Sequence, residues 1–78
     1  MEKKEISKFK VIEIELTLRD MNYKDFAEKL NMSYAGVCRR MRKETDWQLE
    51  EMKKVAKLFN KSVDYLFEID NSIEQVLN

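Results

Sequence analysis

Four cationic side chains stand close together in the middle of this sequence. Arg39, Arg40 and Arg42 are followed directly by Lys43, and residues 31–43 contain no acid. The planar guanidinium of arginine donates parallel hydrogen bonds, a geometry that fits a phosphate or the paired acceptors of a guanine edge. A basic run is more often a solvated face, so the element that carries this run decides its meaning.

Charges are segregated along a chain whose formal net charge is zero. Fifteen Lys and Arg residues balance fifteen Asp and Glu residues, and charged residues make up 38% of the 78 positions. The net charge is plus four over residues 31–43, minus four over residues 44–51 and minus four over residues 62–78. A neutral total disfavours indiscriminate coating of nucleic acid, whereas this distribution leaves one basic surface.

The composition also disfavours catalysis and bound cofactors. The sequence has no His, which removes the usual near-neutral acid or base and the commonest metal ligand. A single cysteine, Cys38, cannot form a disulfide within the chain or build a zinc site. No apolar run reaches the ~18 residues of a membrane span, and residues 1–5 lack a secretory apolar stretch. We therefore expect a cytoplasmic protein that is not an enzyme, binds no cofactor and contacts no membrane.

An all-α fold is expected, because the chain has no Pro and only one Gly, Gly36. β-Hairpins and β-sandwiches need more turn residues than this. Residues 12–19 alternate apolar and polar side chains as a half-buried strand does. A helix is nevertheless favoured, since no partner strand follows. The inner stripe of that helix would consist of Phe9, Ile12 and Leu16, with Leu18 and Met21 alongside.

Two short helices joined by a three-residue turn are predicted within residues 22–42. Asn22 and Ser33 are good N-caps, and Asn31 can adopt the left-handed conformation that ends the first helix. Such a connection is typical of a helix-turn-helix unit, whose second helix can lie in the DNA major groove. The second helix, residues 34–42, carries three of the four cations and is followed by the fourth.

A loop and a long amphipathic helix are predicted after this pair. Residues 44–47 are polar apart from Trp47, whose indole is expected to pack onto the core. Asn60 can end the long helix. The apolar stripe of the long helix consists of Leu49, Met52, Val55, Ala56 and Phe59.

The chain closes with a short helix capped by Ser62, and Ser72 can start a further short helical turn near the carboxyl end. No repeat or linker indicates a second domain. One domain is therefore expected over residues 1–78, with its core in residues 9–67 and an extension over residues 68–78.

Three stretches of the sequence resemble the Cro/cI-type (XRE-like) regulators. Residues 18–33 (LRDMNYKDFAEKLNMS) are similar to that family's helix-turn-helix signature, residues 47–52 (WQLEEM) to its entry into the fourth helix, and residues 59–67 (FNKSVDYLF) to its closing segment. The resemblance covers roughly residues 9–67. It implies a five-helix, lambda-repressor-like DNA-binding domain, usually dimeric, of the kind found in phage repressors and regulators of mobile elements.

The resemblance also assigns roles to single side chains. It places Ala27 at the contact between the two helices and Val37 on the buried side of the second. Tyr23 stands where the family often has a Gln that touches a phosphate, and a tyrosine hydroxyl can make the same bond. Further phosphate contacts are expected from Ser33, Arg42 and Lys43. The family's base-reading side chains emerge at Tyr34, Ala35, Gly36 and Arg39.

Three positions depart from the family pattern. Asn31 replaces the usual turn Gly, which is tolerable because Asn visits the left-handed region readily. Arg40 stands where a buried aliphatic residue is common, so either the recognition helix is rotated or Arg40 lays its stem over the core. Gly36 inside a helix costs around 1 kcal/mol relative to Ala, which indicates either close approach to DNA or drift.

Two functions fit these residues. The first is a sequence-specific, repressor-like regulator that binds a double-stranded operator as a homodimer and is nucleoid-associated when bound. Its recognition helices would enter major grooves ~34 Å apart. The alternative is a protein-interaction module, an antirepressor or antitoxin-like partner, that binds another protein through residues 62–78. The apolar residues that this segment adds are Ile69, Ile73, Val76 and Leu77.

Overall fold

Residues 9–68 are described by the computed structural model, and they form five helices and no strand. The helices are α1 (Lys10–Leu18), α2 (Tyr23–Leu30), α3 (Tyr34–Met41), α4 (Leu49–Phe59) and α5 (Val63–Leu66). The prediction of an all-α fold is confirmed, and the stretch with strand-like alternation is helical. None of these five helices is long and apolar enough to cross a membrane. The turn predicted at Ser72 lies outside the described residues.

Polar side chains begin three of the helices, as the sequence predicts. Asn22, Ser33 and Ser62 each accept a hydrogen bond from the backbone N–H three residues further on, at 2.8, 2.9 and 3.1 Å. These bonds satisfy amides that a helix leaves unpaired in its first turn. The starts of α2, α3 and α5 are therefore set by local sequence.

A left-handed residue follows every one of the five helices, and none of these residues is Gly. The predicted positions Asn31 and Asn60 have φ values of 60° and 57°. Asn enters this region at little cost, whereas residues with longer side chains do so less readily. Within residues 9–68 the left-handed residues are Asp20, Asn31, Lys43, Asn60 and Glu68.

The core lies where the predicted apolar stripes meet. α2 packs on α3 and α4, while α5 packs on α4 and α1. The stripe predictions are wrong for Leu18 and Leu49, which are largely exposed. Leu18 lies about half a turn from the buried Leu16, and Leu49 is the first residue of α4, ahead of its buried part. The buried apolar residues are Phe9, Ile12, Leu16, Phe26, Ala27, Leu30, Val37, Met41, Trp47, Val55, Phe59, Leu66 and Phe67.

One carboxylate, that of Glu15, is buried and ties three helices together. It binds Arg19 Nη1 at 2.5 Å and accepts a hydrogen bond from the Tyr65 hydroxyl at 2.8 Å. Arg19 also donates to the carbonyl of Phe59 at 3.1 Å. The hydrogen bonds from Arg19 and then Tyr65 lower the pKa of Glu15, and the bond to Glu15 raises the pKa of Tyr65. No local sequence pattern indicates this network, which joins α1 to the end of α4 and to α5.

Candidate nucleic-acid interface

α2 and α3 pack against each other through small and aliphatic side chains. Ala27 of α2 is buried, and so are Val37 and Met41 of α3. Residues 31–33 connect the helices, and Met32 N donates to the carbonyl of Ala27 at 2.9 Å across the turn. The predicted spacing is confirmed, and Ala27 and Val37 are buried as expected.

The other side of α3 faces away from the core. Tyr34 is 57% exposed, and Ala35 and Arg39 are exposed too. A rotation of about 100° per residue places these side chains opposite Val37 and Met41. Three of the four residues assigned to base contact therefore share one surface. We call it the outer face of α3, consisting of Tyr34, Ala35, Cys38, Arg39 and Arg42.

Gly36 is not on the outer face of α3, because it is buried. Its N–H donates to the Ser33 hydroxyl at 2.9 Å, and its carbonyl accepts from Arg40 Nη1 at 3.0 Å. A Cβ at this position would lie 2.9 Å from Ser33 Oγ and 3.2 Å from Arg40 Nη1. A side chain at position 36 would press on Ser33 and Arg40, which is a reason for glycine here that lies within the protein itself.

Arg40 points back toward the domain and joins α3 to α4. Its Nε and Nη2 donate to the two oxygens of Glu51 at 2.9 and 3.1 Å, and both side chains are less than one-fifth exposed. Glu51 also accepts from the backbone N–H of Gln48 at 2.8 Å, which caps α4. Burial raises the pKa of Glu51, but the bonds from Gln48 and Arg40 outweigh it and lower that pKa. Glu51 was recognisable from sequence as a first-turn acid of α4, but not as the partner of Arg40.

Arg42 is paired as well, but in an exposed position. Its Nε and Nη2 donate to Glu44 at 2.8 and 3.2 Å. This hydrogen bonding lowers the pKa of Glu44, and the positive charge of Arg39 adds to the effect. Arg42 therefore lies on the outer face of α3 with its charge partly neutralised by a neighbouring acid.

Arg39 and Lys43 differ from these two arginines. Arg39 is exposed and has no ion-pair partner among residues 9–68. The ammonium of Lys43 lies 5.2 Å from the centre of the Phe9 ring, an arrangement that attracts a cation weakly. Of the four cations in the basic run, these two retain the most freedom to bind an anion.

The two predicted phosphate contacts nearest the helix starts have partners within the protein. The Tyr23 hydroxyl donates to Glu13 of α1. The Ser33 hydroxyl is the N-cap acceptor of α3, yet the residue is exposed. A hydroxyl that accepts from a backbone amide keeps its own proton available for a further acceptor. Ser33 can thus cap α3 and contact a phosphate together.

The Tyr34 hydroxyl lies near the Cys38 thiol, one helical turn further on. Their hydrogen bond raises the pKa of Tyr34. The phenol donates its single proton to Cys38, and its oxygen can still accept a hydrogen bond from a group outside the protein. Cys38 is half-buried beside it, which agrees with the role of a small helix residue next to the surface.

A concave surface opens where α2 and α3 begin. Its volume is about 600 Å³, and it is lined by Asn22, Tyr23, Lys24 and Tyr34. The N-terminus of a helix presents unpaired N–H groups and a partial positive charge, which favours anions. This surface adjoins the outer face of α3 at Tyr34, so an anion bound here would lie beside that face.

Acidic residues border the basic run on its carboxyl side. Glu44, Asp46 and Glu50 are exposed in the loop before α4 and in its first turn. These negative charges repel a polyanion, so they restrict the surface that a negatively charged ligand can approach. The charges that are segregated along the sequence thus meet in the structure, where Arg40 and Arg42 pair with two acids of residues 44–51.

Comparison with known families matches residues 19–77 to the BetR domain. No curated protein and no solved structure matches the chain. The match includes both helices of the helix-turn-helix and most of the sequence, whereas the finer resemblance to Cro/cI-type regulators stays a prediction. The chain belongs to the BetR domain family, a helix-turn-helix-like DNA-binding domain of some regulators.

Proposed function

We propose that this protein is a sequence-specific transcriptional regulator of the repressor type that places α3 in the major groove of double-stranded DNA. One observation supports this most strongly. The outer face of α3 presents Tyr34, Ala35 and Arg39 on the second helix of a tightly connected pair, while Val37 and Met41 hold the opposite side in the core. α3 is thereby fixed with its polar side outward, as a helix that enters a groove must be.

Base contacts are assigned to the three exposed residues of that face. Arg39 has the planar fork that binds both acceptors of a guanine edge, and no ion pair competes for it within residues 9–68. Ala35 offers a methyl group suited to the methyl of thymine. Tyr34 can accept a hydrogen bond from a base at its hydroxyl oxygen, or donate to a base or a phosphate when it leaves Cys38.

Phosphate contacts are assigned to residues around that face. Ser33 and Lys43 are exposed at its two ends, and the concave surface at the start of α2 can receive a further phosphate. Tyr23 and Arg42 reach a phosphate by leaving Glu13 and Glu44, respectively. Because each residue must first break a bond within the protein, each contributes less to the free energy of DNA binding than an unpaired donor would.

Arg40 and Gly36 receive a positioning role in this proposal. Arg40 is bonded to Glu51 and to the carbonyl of Gly36, so its guanidinium is occupied on the side that faces α4. The bonds fix the tilt of α3 against α4. The outer face of α3 can then meet DNA in one orientation, which sequence-specific contact requires.

We further propose that the protein binds DNA as a homodimer. A symmetric dimer would recognise a DNA site with two-fold symmetry. Selection of bound duplexes from a random pool tests both points. We expect a palindromic site with half-sites about 10 base pairs apart, and an affinity that falls steeply with added salt because phosphate contacts release counterions. Absence of duplex binding at low salt would contradict the proposal and favour the protein-interaction module.

A further inference from the structure

A second group of cations lies on α4, apart from the basic run of residues 39–43. Residues 52–63 contain four lysines and no acid. The buried residues of α4 hold one side of that helix in the core, whereas Lys53, Lys54 and Lys57 are exposed on the opposite side. α4 therefore presents a row of positive charge that the proposed contact through α3 does not use.

The end of α2 adds a further lysine at the same place. Lys54 Nζ donates to the carbonyl of Leu30 at 3.2 Å, and Lys29 is exposed next to Leu30. A shallow concavity of about 330 Å³ opens here, and no residue of α3 lines it. Its lining residues are Lys29, Leu30, Asn31, Lys54, Lys57 and Leu58. We call Lys29, Lys53, Lys54 and Lys57 the lysine surface.

Little negative charge opposes the lysine surface. Lys29 and Lys57 have no ion-pair partner among residues 9–68. Lys53 lies 4.0 Å from Glu50, and water screens this pair because both side chains are largely exposed. Lys54 gives one of its three N–H groups to the Leu30 carbonyl and keeps two for another acceptor. All four ammonium groups can therefore meet an anion.

Helix ends account for part of this arrangement. Lys29 and Lys57 each lie in the last turn of a helix, where the unpaired carbonyl groups favour a cation. This effect does not explain Lys53, which lies one turn before Lys57, or the lack of any acid over residues 52–63. A ligand with closely spaced negative charges accounts for the whole group.

The residue types of the lysine surface indicate the phosphates of duplex DNA. Lysine is depleted in protein–protein interfaces, whereas it is a common contact of nucleic-acid phosphates. The surface has no arginine, whose planar fork would read a guanine edge, so the contact is independent of sequence. No aromatic side chain lines the concavity, so the bases of a single strand find no stacking partner there.

Acidic residues separate the lysine surface from the basic run that includes α3. Glu44, Asp46 and Glu50 are exposed between Lys43 and Lys53 along the chain. They repel the phosphates of a single duplex that would run across both basic surfaces. A duplex held by the outer face of α3 therefore leaves the lysine surface open to another segment of DNA.

We propose that the lysine surface binds the phosphate backbone of a second duplex segment while the outer face of α3 holds the first. The inference rests on the proposed function for the first duplex. A phosphate contact strengthens binding to every sequence alike, so the lysine surface leaves the sequence preference of α3 unchanged. The protein thereby joins two segments of DNA.

Capture of a second duplex tests the proposal. The selected duplex is fixed to beads and occupied by the protein, and a fluorescent duplex of unrelated sequence is added at low salt. We expect the double variant Lys29→Gln/Lys57→Gln to capture roughly tenfold less of it than the unaltered protein, because two phosphate contacts are lost. Lys10→Glu on α1 is the matched control, since it lowers the net charge equally, and it should capture as much as the unaltered protein.

Two outcomes of this capture experiment would overturn the proposal. The first is equal capture by the double variant and the unaltered protein, which would assign the second duplex to the α3 helix of another copy. The second is no capture by the unaltered protein although it occupies the selected duplex. Circular dichroism of the double variant, with the helix content of the unaltered protein, shows that a loss of capture does not come from unfolding.

Two further measurements separate the proposal from its alternatives. If the unaltered protein fails to occupy any selected duplex, the proposed function is contradicted. The affinity for the unrelated duplex in solution then tests the lysine surface by itself: a roughly tenfold loss in the double variant supports it, and an unchanged affinity overturns it. Fluorescent polyglutamate is the probe for an acidic protein. If it binds the unaltered protein more tightly than the unrelated duplex does, and the double variant loses this binding, the lysine surface takes a protein partner and the proposal is overturned.

Discussion

Arg40 and Arg42 each form a bidentate salt bridge with a glutamate. The two salt bridges differ in burial and in the elements that they connect. Arg40 and Glu51 are 17% and 18% exposed and join α3 to α4, whereas Arg42 and Glu44 are 37% and 52% exposed and lie two residues apart in the chain. Water screens the second pair and offers its members other partners. Two arginines that are close in sequence thus have different roles: Arg40 stabilises the packing of α3 on α4, whereas Arg42 remains accessible to a ligand.

The largest expected effect comes from breaking the less exposed pair. Arg40→Ala removes two charge-assisted hydrogen bonds and leaves Glu51 half-buried without its partner, so we expect the free energy of unfolding to fall by about 2 kcal/mol. Urea denaturation followed by circular dichroism measures it. Arg42→Ala is the matched control and should change the unfolding free energy little. Equal losses in the two variants would remove the distinction between the pairs.

The next effect is on the pH dependence of stability. The pKa of Glu51 is lowered in the folded protein, so the folded state binds fewer protons and stability rises with pH. The contribution of Glu51 to the free energy of unfolding is complete above the ordinary glutamate pKa of about 4.3. It is lost as the pH falls through the lowered pKa of the folded state. We expect Glu51→Gln to flatten the acid side of the stability profile more than Glu44→Gln does, in urea titrations at a series of pH values. A larger flattening by Glu44→Gln would reverse the comparison.

The smallest of these effects concerns duplex affinity. Glu44→Gln releases Arg42 from its charged partner and removes one like charge near the phosphates, so we expect duplex binding to tighten roughly two- to fivefold at moderate salt. Fluorescence anisotropy with the selected duplex measures it. Glu51→Gln should instead weaken binding, because Arg40 then holds α3 less firmly. Tighter binding by both variants would indicate that Arg40 contacts DNA directly.

Local patterns predicted the helices well. The caps Asn22 and Ser33, the left-handed Asn31 and the buried Val37 follow from residue type and spacing within one or two turns. These features were sufficient to identify the helix-turn-helix, and the exposed positions of Tyr34, Ala35 and Arg39 follow from the same helical repeat.

Contacts between distant residues were beyond such patterns. Arg40 meets Glu51 eleven residues away, and Glu15 meets Tyr65 fifty residues away. Each depends on how whole helices pack, which no local spacing encodes. Leu49 is a further example. An apolar stripe predicts which side of a helix faces the core, but it does not predict how far along the helix the neighbouring elements cover that side.

The central claim is that the outer face of α3 reads DNA, and Arg39 tests it most directly. Affinities for the selected duplex and for one with altered half-sites should be measured for Arg39→Ala and for Lys57→Ala, which removes an exposed cation from α4. We expect Arg39→Ala to lose roughly 1–3 kcal/mol of binding free energy on the selected duplex and most of the preference at one base position. Lys57→Ala should retain that preference. Full retention of sequence preference by Arg39→Ala would contradict the claim.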